Sequence, residues 1–452
     1  MRHKLFSSAF AMALILSLMA CGKPSVATPT LPPQAVNTPV VIPPDVLAIS
    51  SQNAFVDSYG TYHVVGEVVN NSNKVITHIE MRVEIKDASG VSLITDENGS
   101  ITPNATFSPM LYTLAPGESS PFEYSYETSK GTPAAFDVVI SNQQTGSANR
   151  ASLKTENVQL VDDGSGWYYL TGEIVNTGSQ WIHINSLAGA VLNDANKVLS
   201  ADWTSTYATE LAPAGGPSGR DRTPFEINFP NPGGATQWKV YPDADVVNGV
   251  TDYSTSLSVT NSYFDQYGTY HLVGWITNNS DKALDSLVVA GLYAEDKTVL
   301  DASYGFVPIP MKPGAATPFA ISAFGSINYN PNLAALVKIN SSQADPWFTS
   351  PTSFEFVDLT ASGESGQKDG ATWTFDGNVV NTSGKSLSGE TVVVIIMDTL
   401  KNLVAMEYTS ISPTGDSIGM GETSTYSVTI YMDPKVDAST YTATTLVIGN
   451  VK

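Results

Sequence analysis

Cysteine is almost missing from this chain of 452 residues, and charged residues are scarce. The one cysteine, Cys21, excludes an internal disulfide, so the folded part must be stabilised by packing alone. Charged residues make up 14% of the sequence, against about 25% in average globular proteins. The formal net charge is −21, which does not complement a nucleic acid or an anionic lipid surface. We therefore expect no nucleic-acid partner.

Motifs of catalysis, cofactor binding and metal binding are also missing. The sequence contains no HExxH, CxxC, GxSxG, P-loop or Rossmann glycine pattern. We expect no catalytic residues, no cofactor and no metal site, and hence no enzyme. Asp162, Asp163, Asp243 and Asp245 offer carboxylate oxygens for calcium, but they lack the alternating spacing of a calcium loop. That pattern favours solvated turns instead.

Residues 1–20 have the character of a signal peptide. A short basic segment precedes an apolar run that is too short for a permanent membrane-spanning helix. The run ends in the sequence Leu18-Met19-Ala20-Cys21. This ending resembles the lipobox of bacterial lipoprotein signal peptides. The resemblance implies cleavage before Cys21 and attachment of a lipid, with acyl chains such as palmitate, to its thiol. An ordinary signal peptide that contains a cysteine is the alternative.

Residues 21–48 combine the lipidated Cys21 with a segment rich in proline and threonine and almost free of charge. Such a composition favours extended polyproline II structure and cannot form a core. It predicts a disordered stalk between the lipid and the folded part. The expected location is extracytoplasmic, with the membrane of a bacterial cell as the first partner through the lipid.

One strand pattern occurs four times. It reads YHVVGEVVNNS from Tyr62, YYLTGEIVNTG from Tyr168, YHLVGWITNNS from Tyr270 and WTFDGNVVNTS from Trp373. The copies recur at intervals of roughly 100 residues, which indicates tandem domains. We expect repeat 1 at residues 49–145, repeat 2 at 151–247, repeat 3 at 254–343 and repeat 4 at 352–452.

Apolar residues alternate along this strand, so its two faces have different environments. The core face of repeat 1 is predicted to hold Tyr62, Val64, Gly66, Val68 and Asn70. The opposite face, which carries His63 in repeat 1 and His271 in repeat 3, is expected to face mostly solvent. The glycine leaves room for a large neighbour or a bulge. The asparagine ends the strand because its side chain can bond the turning backbone.

Each copy contains roughly seven short apolar stretches separated by turn signals, which is typical of an immunoglobulin-like β-sandwich. The predicted fold class is all-β. Four tandem immunoglobulin-like sandwiches follow the signal peptide and the disordered linker.

The order of the glycine strand, an LYD-like strand with its turn, and a PGxxxPF segment resembles FxLYD-type domains of bacterial envelope proteins. Repeat 3 carries Leu292-Tyr293, followed by Ala294 where the family pattern has aspartate. Asp87, Asp194 and Asp398 align with that position in the other repeats. The resemblance implies an extracytoplasmic β-sandwich module without a defined activity.

These features predict a non-catalytic, lipid-anchored protein of the cell envelope that acts as a spacer, scaffold or adhesion-type module. Its partner would be an envelope protein or a glycan. The alternative is a lipoprotein that binds a glycan or peptide through Trp275 on the outward strand face, or through Arg220 and Arg222 in a loop that is longer in repeat 2. Packing of Trp275 against a neighbouring domain and a solvated insertion are the competing interpretations of these residues.

Overall fold

The structure is a computed structural model that describes residues 46–216, 220–250, 253–324, 336–341, 355–436 and 438–452. The predicted signal peptide, lipobox and stalk up to residue 45 lie outside the described residues. The described residues belong to one compact unit. They form β-strands and two short 3-10 helices, without any α-helix, which confirms the all-β fold class. No helix in this part of the chain is long and apolar enough to cross a membrane.

The strands fall into four groups along the chain. Repeat 1 contains β1 (Leu47–Val56), β2 (Thr61–Asn70), β3 (Ile76–Lys86), β4 (Ala105–Phe107), β5 (Thr113–Leu114), β6 (Ser119–Glu127), a 3-10 helix (Thr128–Lys130) and β7 (Ala135–Thr145). Repeat 2 contains β8 (Leu153–Asp162), β9 (Trp167–Asn176), β10 (Ile182–Leu192), β11 (Val198–Thr204), β12 (Glu210–Leu211), β13 (Arg222–Pro230) and β14 (Gln237–Val246). Repeat 3 contains β15 (Thr255–Phe264), β16 (Tyr270–Asn278), β17 (Leu287–Tyr293), β18 (Val299–Phe306), β19 (Ala316–Phe324) and β20 (Leu336–Ser341). Repeat 4 contains β21 (Phe356–Leu359), β22 (Ala361–Asp369), β23 (Thr372–Val380), β24 (Leu387–Met397), β25 (Leu403–Ile411), β26 (Thr423–Tyr431), a 3-10 helix (Ala438–Thr440) and β27 (Thr442–Val451).

Each repeat forms two antiparallel sheets. The front sheet contains the glycine strand at its centre, in the orders β1-β2-β6, β8-β9-β13, β15-β16-β19 and β22-β23-β26. The back sheet is built around β3, β10, β17 or β24. Apolar residues from both sheets share one core, as where Leu170 of β9 and Phe229 of β13 crowd against Gly189 of β10. Four immunoglobulin-like sandwiches in tandem are therefore present, as the repeat pattern predicts.

The central glycine of each front sheet makes room for an aromatic ring of the neighbouring strand. A Cβ atom on Gly66 would lie 2.3 Å from Cζ of Phe122 and 2.2 Å from the carbonyl oxygen of Ser51. The equivalent glycines face Phe225, Phe319 and Tyr426 in the same way. The prediction of a large neighbour is confirmed, because no side chain fits between the strand and that ring.

The asparagine at the end of each glycine strand is buried and joins two turns. In repeat 1, Nδ2 of Asn70 donates to the carbonyl oxygens of Lys74 and Leu114, both at 2.8 Å. Its Oδ1 accepts a hydrogen bond from the amide of Ser72 at 3.0 Å. The same contacts recur at Asn176, Asn278 and Asn381. The predicted bond to the turning backbone is confirmed, and a second bond ties that turn to a distant one.

The turn after the central strand of the back sheet shows that one predicted alignment between repeats is wrong. Oδ1 of Asp87 accepts hydrogen bonds from two turn amides at 2.8 and 3.0 Å, and Asp398 does so in repeat 4. In repeat 2 the residue with these contacts is Asn193, at 3.0 Å to both amides. The alignment of Asp194 with Asp87 is therefore wrong by one residue, because β10 ends at Leu192.

The outward face of the glycine strand is covered in repeats 1 to 3, contrary to the prediction of a mostly solvated face. His63 is 5% exposed, Glu173 is fully buried and Val273 is 1% exposed. The back sheet of the following repeat packs on each of these faces. In repeat 4, which no described repeat follows, Asp376 and Asn378 on the same face are partly exposed.

Candidate functional site at the repeat junctions

Three junctions join the repeats, each between the front sheet of one repeat and the back sheet of the next. We call them the first, second and third junction in chain order. Every residue singled out in the sequence as a candidate contact lies in or beside the second or third junction. The junctions are therefore the candidate functional sites.

Glu67 of β2 is the polar centre of the first junction. Its Oε1 accepts hydrogen bonds from the Tyr241 hydroxyl of repeat 2 at 2.9 Å and from the Ser119 hydroxyl at 2.8 Å. Lys239 of repeat 2 forms an ion pair with the same carboxylate. Burial raises the pKa of Glu67, but hydrogen bonds from Lys239, Ser119 and Ser50 outweigh burial and hold the pKa below its usual value. Glu67 therefore stays ionised and links the two repeats.

Small apolar side chains and one arginine complete the first junction. Ala188 and Ala190 of β10 are fully buried in the same apolar cluster as the core of repeat 1. Arg150, in the segment between the repeats, bonds Asp243 of repeat 2 and the Thr113 carbonyl of repeat 1. The amide of Val198 donates to Oγ of Ser51 across the junction at 3.0 Å.

Arg222 contributes to a buried network at the second junction. Its Nη1 lies 3.5 Å from Oε2 of Glu173, and the Tyr293 hydroxyl of repeat 3 donates to Oε1 of Glu173 at 2.7 Å. Burial alone would lower the pKa of Arg222, but Glu173 and Asp221 raise it. Burial and the Glu173 carboxylate raise the pKa of Tyr293, which keeps its hydroxyl a donor.

Arg220 is buried beside the same junction rather than presented on a solvated loop. Its side chain is 7% exposed, and its guanidinium lies 5.5 Å from the centre of the Trp181 ring. Nη1 lies 3.4 Å from the carbonyl oxygen of Tyr253, at the start of repeat 3. The loop tip at residues 217–219 lies outside the described residues.

Trp275 is half-buried in the third junction. It packs against a cluster that contains Val273 of its own sheet and Val393 and Ile395 of repeat 4. Beside it, Oγ1 of Thr260 donates to the carbonyl oxygen of Leu403 at 2.7 Å. The structure therefore places Trp275 against a neighbouring domain, and in a different junction from the two arginines.

Several junction residues were missed in the sequence. Glu67, Glu173 and Arg150 carry inter-repeat contacts, although the first two lie on a strand face that was expected to be solvated. The interpretation of His63 as a surface residue is wrong, since it is 5% exposed. A signal was present, because valine, threonine and tryptophan share this outward face with the charged residues.

The aspartates considered for calcium make contacts within the protein. Oδ1 of Asp163 accepts hydrogen bonds from the amides of Ser165 and Trp167 at 2.7 and 3.1 Å. Asp243 pairs with Arg150 and is 3% exposed. Within the described residues, no group of three or more His, Cys, Asp and Glu side chains could hold a metal ion.

No protein-family model and no curated protein matches the chain. Solved structures with a partial likeness include the α2-macroglobulin of E. coli in its native conformation, with 8% identity over 88% of this chain and a TM-score of 0.12. The α2-macroglobulin of Salmonella reacted with methylamine has 10% identity over 87% of this chain and a TM-score of 0.12. The chain matches 28% of the length of each. At these TM-scores the likeness carries no functional argument.

Proposed function

We propose that this chain is a lipid-anchored, extracytoplasmic protein whose four sandwiches act as a non-catalytic spacer or scaffold at the bacterial cell envelope. The observation that best supports the proposal is that outward residues of the front sheets are taken up in contacts with the next repeat. Trp275 packs against repeat 4, and Arg222 pairs with Glu173 of its own repeat, which in turn accepts a hydrogen bond from Tyr293 of repeat 3. Their placement favours an architectural role over ligand capture.

A spacer must hold its domains in a defined orientation, and the junctions support this. Each combines apolar packing with hydrogen bonds across the interface, such as Val198 to Ser51, Tyr293 to Glu173 and Thr260 to Leu403. Interfaces between domains that are small and polar permit relative motion, whereas well-packed apolar ones restrict it. We therefore expect limited bending between neighbouring repeats.

Distance measurements on single molecules test the spacer. The mature chain has no cysteine other than Cys21, so an ectodomain of residues 22–452 accepts two labels without interference. Glu97→Cys in repeat 1 and Leu400→Cys in repeat 4 place both labels at exposed turns. A narrow distribution of transfer efficiencies is expected. A broad distribution, comparable with that of a flexible linker, would contradict the spacer.

The anchor and the partner need a separate experiment on cells. Cys21→Ala should release the protein from the membrane fraction and abolish incorporation of a palmitate analogue, whereas Cys21→Ala protein that remains lipidated contradicts the anchor. Chemical crosslinking before lysis, followed by pull-down on residues 50–452, then separates the two forms of the proposal. A single enriched envelope protein or glycan indicates a scaffold or adhesion module, and no enrichment indicates a spacer.

A further inference from the structure

His63 of β2 lies between two carboxylates at the first junction. Its Nδ1 lies 2.5 Å from Oε1 of Glu123, and its Nε2 lies 3.3 Å from Oδ2 of Asp57. The ring stacks on Phe55 with 4.8 Å between ring centres. Ionised carboxylates only accept hydrogen bonds, so both ring nitrogens are satisfied only when both carry a proton. The geometry thus selects the imidazolium form of His63.

Three acidic groups face this imidazolium from the elements packed around it. Asp57 lies in the turn after β1, Glu123 on β6, and Asp202 on β11 of repeat 2. Burial lowers the pKa of His63, but Glu123 and Asp57 outweigh burial and raise it above its usual value. Burial raises the pKa of Asp202 to about 7, and the Glu123 charge adds to this while the His63 charge opposes it.

His271 in repeat 3 occupies the same position and provides an internal comparison. Its Nε2 lies 3.0 Å from Oδ2 of Asp265, and its ring stacks on Tyr263 with 4.9 Å between centres. The residue that corresponds to Glu123 in the strand register is Ala320. One ring nitrogen of His271 therefore has no carboxylate partner at that position, and its geometry does not require the imidazolium form. Glu407 of repeat 4 faces His271 across the third junction, where burial raises the pKa of Glu407 and the His271 charge opposes this rise.

We propose that the first junction is a pH-dependent joint, held closed by the His63 imidazolium between Glu123 and Asp57 and loosened when His63 loses its proton. Loss of that proton removes the His63 donor from one of two partly buried carboxylates on the face that repeat 2 covers. The joint does not need a ligand or a modification. It would make contact between repeats 1 and 2 tighter in a mildly acidic envelope than in an alkaline one.

The direction of the pH effect follows from both titrating groups. A raised histidine pKa stabilises the closed junction fully below the unfolded value of about 6.5, and this stabilisation is lost as the pH rises through the folded value. The raised carboxyl pKa of Asp202 acts in the same direction, because ionisation between about 3.8 and 7 disfavours its buried position. Both effects predict a tighter junction at pH 6 than at pH 8.5.

Hydrogen exchange of β11 tests the proposal on the folded ectodomain. Peptides that cover Val198–Thr204 report on the junction, since the Val198 amide donates to Ser51 across it. After correction for the intrinsic effect of pH, these amides should exchange about tenfold faster at pH 8.5 than at pH 6, the factor that one pKa unit provides. Glu123→Ala, which copies the natural residue of repeat 3, should reduce this difference, because it removes the carboxylate that raises the pKa of His63 and one of the charges that raise the pKa of Asp202. Peptides that cover Leu403–Ile411 should behave alike in both proteins.

Two outcomes would overturn the proposal. One is a β11 exchange rate with the same corrected pH dependence in the wild type and in Glu123→Ala. The other is a His63 titration midpoint at or below 6.5 in the wild-type protein, measured from the ring carbon chemical shift. The titration needs no variant, so it decides the question even if Glu123→Ala fails to fold.

Discussion

The back sheets of repeat 1 and repeat 4 hold equivalent positions in their sandwiches, yet their outward faces differ in character. The central strand β3 of repeat 1 presents four charged residues outward: Glu80, Arg82, Glu84 and Lys86. The equivalent positions of β24 hold Thr391, Val393, Ile395 and Met397, none of which is charged. The inward positions of β3 are buried and apolar, and so are those of β24 apart from the buried Glu390. The polarity of the inward face is thus set by the core of the sandwich itself. The polarity of the outward face depends on whether another repeat covers it.

The front sheets also differ in their outward faces: the face of repeat 3, which another repeat covers, is apolar, and that of repeat 4 is polar. On the outward face, β16 of repeat 3 presents Val273 and Trp275 to repeat 4, whereas β23 of repeat 4 presents Asp376 and Asn378. Polar outer faces on terminal repeats keep a tandem array soluble and stop further stacking. The outward faces of repeats 1 and 4 therefore have the polar character of caps, and within the described residues front and back sheets pair at three junctions.

A charge placed on a covered back sheet should have the largest effect. Ile395→Glu puts a carboxylate at a site that is 3% exposed in the third junction, where it has to be desolvated. We expect a loss of about 3 kcal/mol of unfolding free energy for repeat 4, measured by urea unfolding. Glu84→Gln at the equivalent uncovered position should stay within about 0.5 kcal/mol. Equal effects at the two positions would refute the distinction between covered and uncovered faces.

Removal of one hydroxyl in the second junction should have an intermediate effect. Tyr293→Phe leaves Oε1 of the buried Glu173 without the donor that now lies 2.7 Å away. An unsatisfied buried acceptor costs about 1–3 kcal/mol, which thermal unfolding followed by circular dichroism should detect. Tyr112→Phe is the matched control, because Tyr112 is 68% exposed. A Tyr293→Phe protein as stable as that control would show that the network does not bind the repeats together.

Truncation of a half-exposed lysine should have the smallest effect. Lys239→Ala removes the ion pair with Glu67 from the rim of the first junction, where the lysine side chain is 46% exposed. Such pairs contribute up to about 1 kcal/mol and are screened by salt. The loss should shrink in 0.5 M NaCl (about 3–5 Å of Debye length). Lys86→Ala, on the uncovered back sheet, should cost less at low salt, and the reverse order would contradict a junction role for Lys239.

Much of the sandwich could be predicted from the sequence because its causes are local in the chain. The alternation around Gly66 predicts the core face, the glycine predicts the large neighbour, and Asn70 predicts the turn. The candidate contacts could be predicted only in part. Alternation correctly placed Trp275 on the outward face, but it could not show that Val393 and Ile395 lie opposite. The position of Asn193 was missed because the alignment matched the aspartate next to it by residue type, although Asn193 and Asp87 each lie 21 residues after the central glycine of their repeat.

The sequence by itself determined the number of repeats, the inward face of each glycine strand and the buried asparagine, since each follows from strand periodicity and the bonding capacity of single side chains. Only the tertiary structure decided which outward faces are covered. The burial of Glu173 depends on Tyr293, which lies 120 residues further along the chain, and no periodicity reports a contact at that distance. The two carboxylates around His63 come from the turn after β1 and from β6, so their joint effect on its charge arises only when β1, β2 and β6 pair into one sheet.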